Sequence, residues 1–96
     1  MNKKIERINN VSVLDIELAL GKLTVWRKKI EFGRAVDVLT TFFVAETVQI
    51  KDVYGSKLPF FKIRPGSRVN VDYVKEKDGR FIVLNVVVIT KLYRRR

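Results

Sequence analysis

Apolar and polar residues alternate along most of this chain, and such alternation is typical of β-strands that bury one face. In the segment 68–73 (RVNVDY), Val69 and Val71 lie on one face, while polar residues alternate with them on the other. Residues 11–20 (VSVLDIELAL) follow the same pattern until the phase slips by one position at Leu14, which predicts a β-bulge. The chain is therefore expected to be built mainly from strands.

Short turn signals separate these strand-like segments. Gly21 and the Asp78-Gly79 pair each lie between two alternating segments, and both predict tight hairpin turns. Further loops are expected at EFGR (31–34), YGS (54–56) and LPFFKIRPG (58–66). Directly before the loop at 54–56, the residues TVQIKDV (47–53) predict one more short strand.

The segment AVDVLTTFFV (35–44) is compatible with two structures. A helix would place an apolar stripe on one side, formed by Ala35, Val38, Leu39 and Phe42. Valine, threonine and phenylalanine dominate the segment, however, and their restricted side-chain rotamers suit a pleated surface better than a helix. We therefore predict a strand here.

The closing segment, roughly residues 80–93, is apolar on both faces, which predicts a central or barrel-closing strand with a bulge at Asn85. Five or six twisted strands without a helix must hide their edges, and a small barrel is an economical solution. Ninety-six residues suit one such domain. The predicted core consists of Val13, Ile16, Leu18, Leu23, Val25, Phe42, Val44, Ile50, Val69, Val71, Tyr73 and Val86.

A set of turn and strand residues also resembles a known family pattern. The pattern runs F-x-V, a Thr-led short strand, P-G-x-x-V-x-V-x-Y, a Gly turn and a closing strand, and it is carried by Phe42, Val44, Thr47, Pro65, Gly66, Val69, Val71, Tyr73 and Gly79. It is similar to OB-like small β-barrels of a bacterial family of unknown function, over about residues 11–89, and more weakly to S1-like barrels and translation initiation factor one.

This resemblance implies an all-β fold, namely a small, mostly antiparallel OB-like barrel of five or six strands. Its motif residues set turns and inward-facing positions, so the resemblance transfers no catalytic residue. We expect a single domain over residues 1–96, with its core in 11–89 and a basic C-terminal tail in 91–96.

The chain contains no His and no Cys, which removes much site chemistry. A conventional zinc site and a Ser-His or Cys-His nucleophile cannot be assembled, and no disulfide can form. The nearest carboxylate pairs, Asp15/Glu17 and Glu76/Asp78, carry no sign of the burial that perturbs a catalytic carboxylate. We expect a non-enzymatic protein with no catalytic residue, no metal and no cofactor.

The sequence shows no signal for export or membrane insertion. Asp15 and Glu17 interrupt the first apolar stretch, and no stretch approaches the ~20 apolar residues of a membrane helix. The lack of Cys fits a reducing compartment. These features predict a cytoplasmic protein without a membrane span.

The net charge of +10 is concentrated in residues 21–34, residues 56–71 and the C-terminal tail. Aromatic residues adjoin the first two regions, as in single-strand binders that combine a positive groove with stacking rings. We therefore predict binding to single-stranded RNA or DNA. The predicted nucleic-acid-binding residues are Trp26, Arg27, Lys28, Lys29, Phe61, Lys62, Arg64, Arg68, Arg94, Arg95 and Arg96.

Two other interpretations stay open at this point. A run of charge is also typical of an ordinary solvated face, and the barrel can instead be a structural or protein-interaction domain. In the second case the docking element would be an exposed face or edge of the closing strand 80–93. Of the adjacent rings Phe60 and Phe61, one is expected to plug the end of the barrel and the other to be exposed.

Overall fold

The fold is known from a computed structural model that describes residues 4–45 and 47–89. The basic tail, including the predicted site residues Arg94 to Arg96, lies outside the described residues. The strands are β1 (Glu6–Glu17), β2 (Lys22–Glu31), β3 (Arg34–Phe43), β4 (Gln49–Asp52), β5 (Arg68–Lys75) and β6 (Phe81–Val88). Two 3-10 turns, Leu18–Leu20 and Phe60–Lys62, complete the described secondary structure, and the all-β prediction is confirmed.

Five of the strands form a closed ring. The sheet order is β3-β2-β1-β5-β6-β4, and β3 also pairs with β6, which joins the two sides. The pairings are antiparallel except that β6 runs parallel to both β3 and β4. Strand β1 links the two halves because its first part pairs with β5 and its last part pairs with β2. The ring is therefore barrel-like and mostly antiparallel.

The strand ladders shift register at three places in the ring, and two of these shifts bear on the predicted bulges. The ladder between β1 and β2 shifts between Val13 and Asp15, so the bulge predicted at Leu14 is confirmed. In β6 the ladder to β5 shifts at Leu84, next to the predicted position Asn85. Because this shift changes the phase of the strand, Val83 and Val86 are both buried although they are three residues apart.

Strand β6 has a neighbour on each side. It pairs with β5 along one edge and with both β3 and β4 along the other. The prediction of a barrel-closing strand is therefore confirmed. Because both of its edges are paired, β6 offers little free edge for the addition of another strand over Phe81–Val88.

The core is rich in valine, which suits pleated, half-buried surfaces. The buried apolar residues are Val11, Val13, Leu23, Val25, Phe42, Ile50, Ile63, Val69, Val71, Val74, Val83, Val86 and Val88. Of the other predicted core residues, Ile16, Val44 and Tyr73 are partly buried and pack against this cluster. The prediction for Leu18 is wrong, because β1 ends at Glu17 and the 3-10 turn that follows leaves the Leu18 side chain 55% exposed.

The segment 35–44 is a strand, and the helical alternative is wrong. β3 pairs with β2 in unbroken register, from Lys22 opposite Phe43 to Glu31 opposite Arg34. The last contact of β2 with β1 is at Trp26, opposite Ser12. Beyond that point the β2–β3 hairpin projects as a two-stranded ribbon, and we call residues 27–38 the arm.

Candidate nucleic-acid interface

Alternation along β2 gives the barrel a distinct outer surface. Leu23 and Val25 are buried, so the residues between and beyond them, including Trp26, face outward. Directly paired residues of neighbouring strands share a face, which adds the matching positions of β3. We call this surface the ribbon face; it consists of Lys22, Thr24, Trp26, Lys28 and Ile30 with Phe43, Thr41, Leu39, Asp37 and Ala35.

Trp26 lies in the middle of the ribbon face and is half-buried. The Lys28 ammonium lies 5.5 Å from the centroid of the Trp26 ring and 3.1 Å from a carboxylate oxygen of Asp37. The hydrogen bond from Lys28, and then that from the Trp26 side chain, hold the pKa of Asp37 below its ordinary value. Asp37 therefore helps to position both the indole and the ammonium while remaining charged at neutral pH.

Arg68, the first residue of β5, lies beside the ribbon face on the other side of β1. Its guanidinium donates to Ser12 Oγ at 3.0 Å, to Asn10 Oδ1 at 2.6 Å and to the Asn10 carbonyl at 2.8 Å. Ser12 pairs with Trp26 on one side and with Arg68 on the other, so Trp26 and Arg68 lie on the same outward side of the sheet with β1 between them. Asn10 has a positive φ of 55°, and its N–H donates to the Asn70 side chain. The irregular backbone of β1 at Asn10 therefore helps to position the Arg68 guanidinium.

A second aromatic group with cations lies at the other end of the ribbon face. The Lys22 ammonium and the Arg80 guanidinium each lie 5.5 Å from the centroid of the Phe43 ring. Arg80 is held by Asp78, which accepts its backbone N–H at 3.0 Å and its Nε–H at 2.7 Å. The backbone hydrogen bond from Arg80 is the main cause of the lowered pKa of Asp78.

Sequence reasoning missed Lys22, Phe43 and Arg80 as site residues. Counting back from Trp26 in steps of two leads to Lys22, so its place on this face was a readable signal. The cross-strand partner Phe43 and the distant Arg80 required the register and the closure of the ring.

The structure brings together only some of the predicted site residues. Trp26 and Lys28 lie on the ribbon face, and Arg68 lies beside it on the same side of the sheet, across β1. Arg27 and Lys29 lie on the opposite face of the arm, and the Lys29 ammonium is 3.3 Å from a Glu31 carboxylate oxygen. The alternation of side chains along β2 causes this separation.

The remaining predicted residues of the described chain belong to the segment that leads into β5. Phe60 is partly buried against the core while Phe61 is 63% exposed, so the expected division between these two rings is confirmed. Lys62 and Arg64 are exposed. This segment is tied to β1 where the Gly66 N–H donates to the Val13 carbonyl at 2.8 Å.

An apolar cavity of about 300 Å³ lies beside this segment, between the end of β3, β4 and Phe60. Val44, Val48, Ile50 and Leu58 contribute to its lining, and none of its lining residues within 4–45 and 47–89 is charged. These described residues therefore offer no cation that would bind a phosphate.

Residues 4–45 and 47–89 contain no group of three or more His, Cys, Asp or Glu side chains that could hold a metal ion. Within the same residues, no helix has the length and apolar character needed to cross a membrane. Comparisons with protein-family models, with curated proteins and with solved structures found no match to this chain.

Proposed function

We propose that this protein binds single-stranded nucleic acid along the ribbon face. The observation that carries the proposal is the position of Trp26, which has Lys28 beside it along the strand and Arg68 beside it across β1, on one outward surface. Single-strand binders use this combination, because every base has a flat face that stacks on an aromatic ring and every phosphate is attracted to a cation.

The order of the strands supports an OB-type barrel. Three consecutive strands form an antiparallel meander, and two later strands close the ring by pairing β6 parallel to β3 and β5 antiparallel to β1. OB folds bind oligonucleotides on the face of their second and third strands and on two flanking loops. In this chain the ribbon face has the same strands, and Lys22 and Arg80 lie next to the corresponding loops.

The spacing of the cations suits a chain of phosphates. Lys22 and Lys28 are six residues apart on β2, which corresponds to about 20 Å of strand. Asp15 and Asp37 also lie on this side of the sheet, and Asp37 pairs with Lys28. Because these acids offset part of the positive charge, binding depends on stacking as well as on charge, and salt weakens it.

The other predicted residues would contribute less to binding than Trp26, Lys28 and Arg68. Phe61, Lys62 and Arg64 would extend the path toward β5. The tail, Arg94 to Arg96, would add affinity without specificity, because a chain terminus can follow phosphates but does not hold a base in register.

Fluorescence titration with single-stranded oligonucleotides at several salt concentrations tests this function. If about four phosphates are engaged, log K falls with log[salt] at a slope of roughly −3. We expect Trp26→Ala to weaken binding by ~1–3 kcal/mol and to leave the slope unchanged, because it removes a stacking ring and no charge. Lys28→Ala is expected to flatten the slope by somewhat less than one unit.

The matched control is Lys57→Ala, which removes one exposed cation next to β4, away from the ribbon face. It is expected to change affinity and slope less than Lys28→Ala does. Failure to bind any oligonucleotide at low salt would contradict the proposal. Binding that Trp26→Ala leaves unchanged would reduce it to unspecific attraction between charges.

A second candidate function is the recognition of a protein partner by strand addition. It is favoured by the free edge of β3, since in the described chain the ladder to β6 covers only Phe42 and Phe43 and leaves residues 34–41 without a partner on that side. A partner strand would protect alternate amides of residues 34–41 from hydrogen exchange. An oligonucleotide on the ribbon face would not produce that alternating pattern.

A further inference from the structure

Phe32, at the tip of the arm, is not explained by folding. Its side chain is 99% exposed, and its φ of 52° lies in the left-handed region. Gly33 follows with a φ of 76°, so the two residues form a tight turn with positive φ at both positions. Such turns favour Asn or Asp before Gly, and a phenylalanine there is disfavoured. The ring gains no packing in return, which points to a role outside the fold.

The arm holds Phe32 far from the barrel. Residues 26 and 32 are six apart on an extended strand, which places the tip about 20 Å beyond Trp26. The register between β2 and β3 is unbroken along the whole arm, ending with Glu31 opposite Arg34. The tip is therefore carried at a defined distance and direction from the ribbon face.

The charges of the arm fit an anionic partner. Among the described residues, Arg27 and Arg34 form no ion pair, and the pairs Lys28–Asp37 and Lys29–Glu31 are exposed. Exposed pairs contribute little, so their lysines can turn to phosphates without much loss. A second copy of a chain with a net charge of +10 is a poor partner for this basic arm because the two would repel each other.

The carboxylate of Glu31 limits how deeply the tip of the arm can insert into a partner. It directly precedes Phe32, so insertion of the ring into lipid would carry a carboxylate toward the hydrocarbon, which is costly. Contact with the flat end of a base stack needs no such burial, because Phe32 can lie against the last base pair while Glu31 stays in water. The observations thus favour a nucleic-acid end over a membrane.

We propose that Phe32 stacks on the terminal base pair of a duplex when the single strand bound on the ribbon face continues into that duplex. This inference rests on the proposed single-strand binding and adds a preference for junctions between single strand and duplex. The reach of about 20 Å corresponds to about six stacked nucleotides at ~3.4 Å each. A single-stranded overhang shorter than this span cannot reach Trp26 while the end of its duplex lies on Phe32.

The experiment compares three fluorescent DNA probes with the full chain. They are an oligo-dT strand of about 12 nucleotides, a DNA hairpin carrying the same strand as an overhang, and the blunt hairpin alone, the strand being roughly twice the expected span. We expect the overhang probe to bind about tenfold more tightly than the plain strand, because one more stacking contact is made. Phe32→Ala is expected to abolish this difference and to leave binding of the plain strand unchanged.

Two further variants distinguish loss of the stacking ring from disruption of the turn. Phe32→Asn suits the positive φ of the turn and keeps the hairpin, so it should also lose the junction preference. Phe32→Trp keeps a flat ring and should retain the preference. If Phe32→Asn still distinguishes the overhang probe from the plain strand, the inference is overturned.

The failures of the two proposals are distinguishable. Tight binding of the plain strand by the wild-type chain, with no gain from the duplex, overturns the junction inference alone. No binding of any probe removes the single-strand function and this inference with it. Sedimentation with phosphatidylserine vesicles that depends on Phe32, without a junction preference, overturns the inference in favour of a membrane contact.

Discussion

The two halves of the β2–β3 ribbon have the same kind of sequence and opposite surroundings. In the barrel half, Leu23 and Val25 are buried. In the arm, the same strand face continues with Arg27 and Lys29, and the apolar Ile30 of the other face is 70% exposed. The difference arises because β1 covers β2 only as far as Trp26. Alternation along a strand thus specifies its two faces, while burial depends on whether a closed ring surrounds it.

The largest expected effect is on stability, when one apolar side chain is truncated in each half of the ribbon. Leu23→Ala leaves a cavity in a fully buried position and is expected to lower the free energy of unfolding by about 2–5 kcal/mol. Ile30→Ala, at an exposed position of the arm, should change it by less than about 0.5 kcal/mol. Urea denaturation followed by the fluorescence of Trp26 measures both. Equal losses would mean that the arm packs against something in the folded protein.

A medium effect is expected at the glycines that flank β2. Gly21 has a φ of 62°, and a Cβ there would lie 2.7 Å from the Val44 carbonyl oxygen. Gly33 has a φ of 76°, and a Cβ there would have no atom of the described chain within 4 Å apart from its immediate chain neighbours. Gly21→Ala combines a backbone clash with backbone strain, so we expect a loss of about 2–3 kcal/mol. Gly33→Ala carries only the strain and should lose about 1 kcal/mol. Thermal unfolding of both variants measures these losses. A larger loss for Gly33→Ala than for Gly21→Ala would contradict the close approach at Gly21.

The smallest effect concerns two carboxylates, Asp72 in the barrel and Asp37 in the arm. The side-chain hydrogen bond from Arg7 is the main cause of the lowered pKa of Asp72, as that from Lys28 is for Asp37. A lowered pKa in the folded state gives stability that is present above the unfolded value of ~3.9 and is lost as pH falls through the folded value. The melting temperature should therefore drop below about pH 4.

The variants Asp72→Asn and Asp37→Asn assign this drop to its source. Asp72 is the more enclosed side chain, at 15% exposure against 59% for Asp37, so its replacement should remove more of the acid-dependent loss. Melting curves at pH 7 and pH 3 provide the comparison. A pH dependence that neither substitution alters would show that other carboxylates are responsible.

Local patterns were sufficient for much of the fold. The slip at Leu14 predicted a bulge, and the β-branched residues of segment 35–44 predicted a strand against a helical stripe; the structure has both features. These inferences succeeded because each depends on residues that are near each other in sequence. The prediction for Leu18 failed since alternation alone does not show where a strand ends.

The candidate site depends on contacts that a local pattern does not contain. Trp26 and Lys28 can be placed on one face by counting along β2, but Arg68 reaches that face only because β1 lies between β2 and β5. Ile63 gave no periodic signal because it is a single buried residue in a loop. Phe32 was predicted to lie in a loop, and its isolation at the tip follows from where β1 stops covering β2.

The ring closes through a very short seam. β3 and β6 are joined at only two residue pairs, Phe42–Phe81 and Phe43–Ile82, and parallel pairing is slightly weaker than antiparallel pairing. The rings of Phe42, Tyr73 and Phe81 contact one another there, with centroids 5.0 to 6.0 Å apart. We expect this seam to open before the long ladders do, so amides at the β3–β6 junction should exchange earlier than those of the β2–β3 ladder. Such an opening would turn the closed ring into a sheet that stays joined through β1, and the contacts among the three aromatic rings would set its free-energy cost.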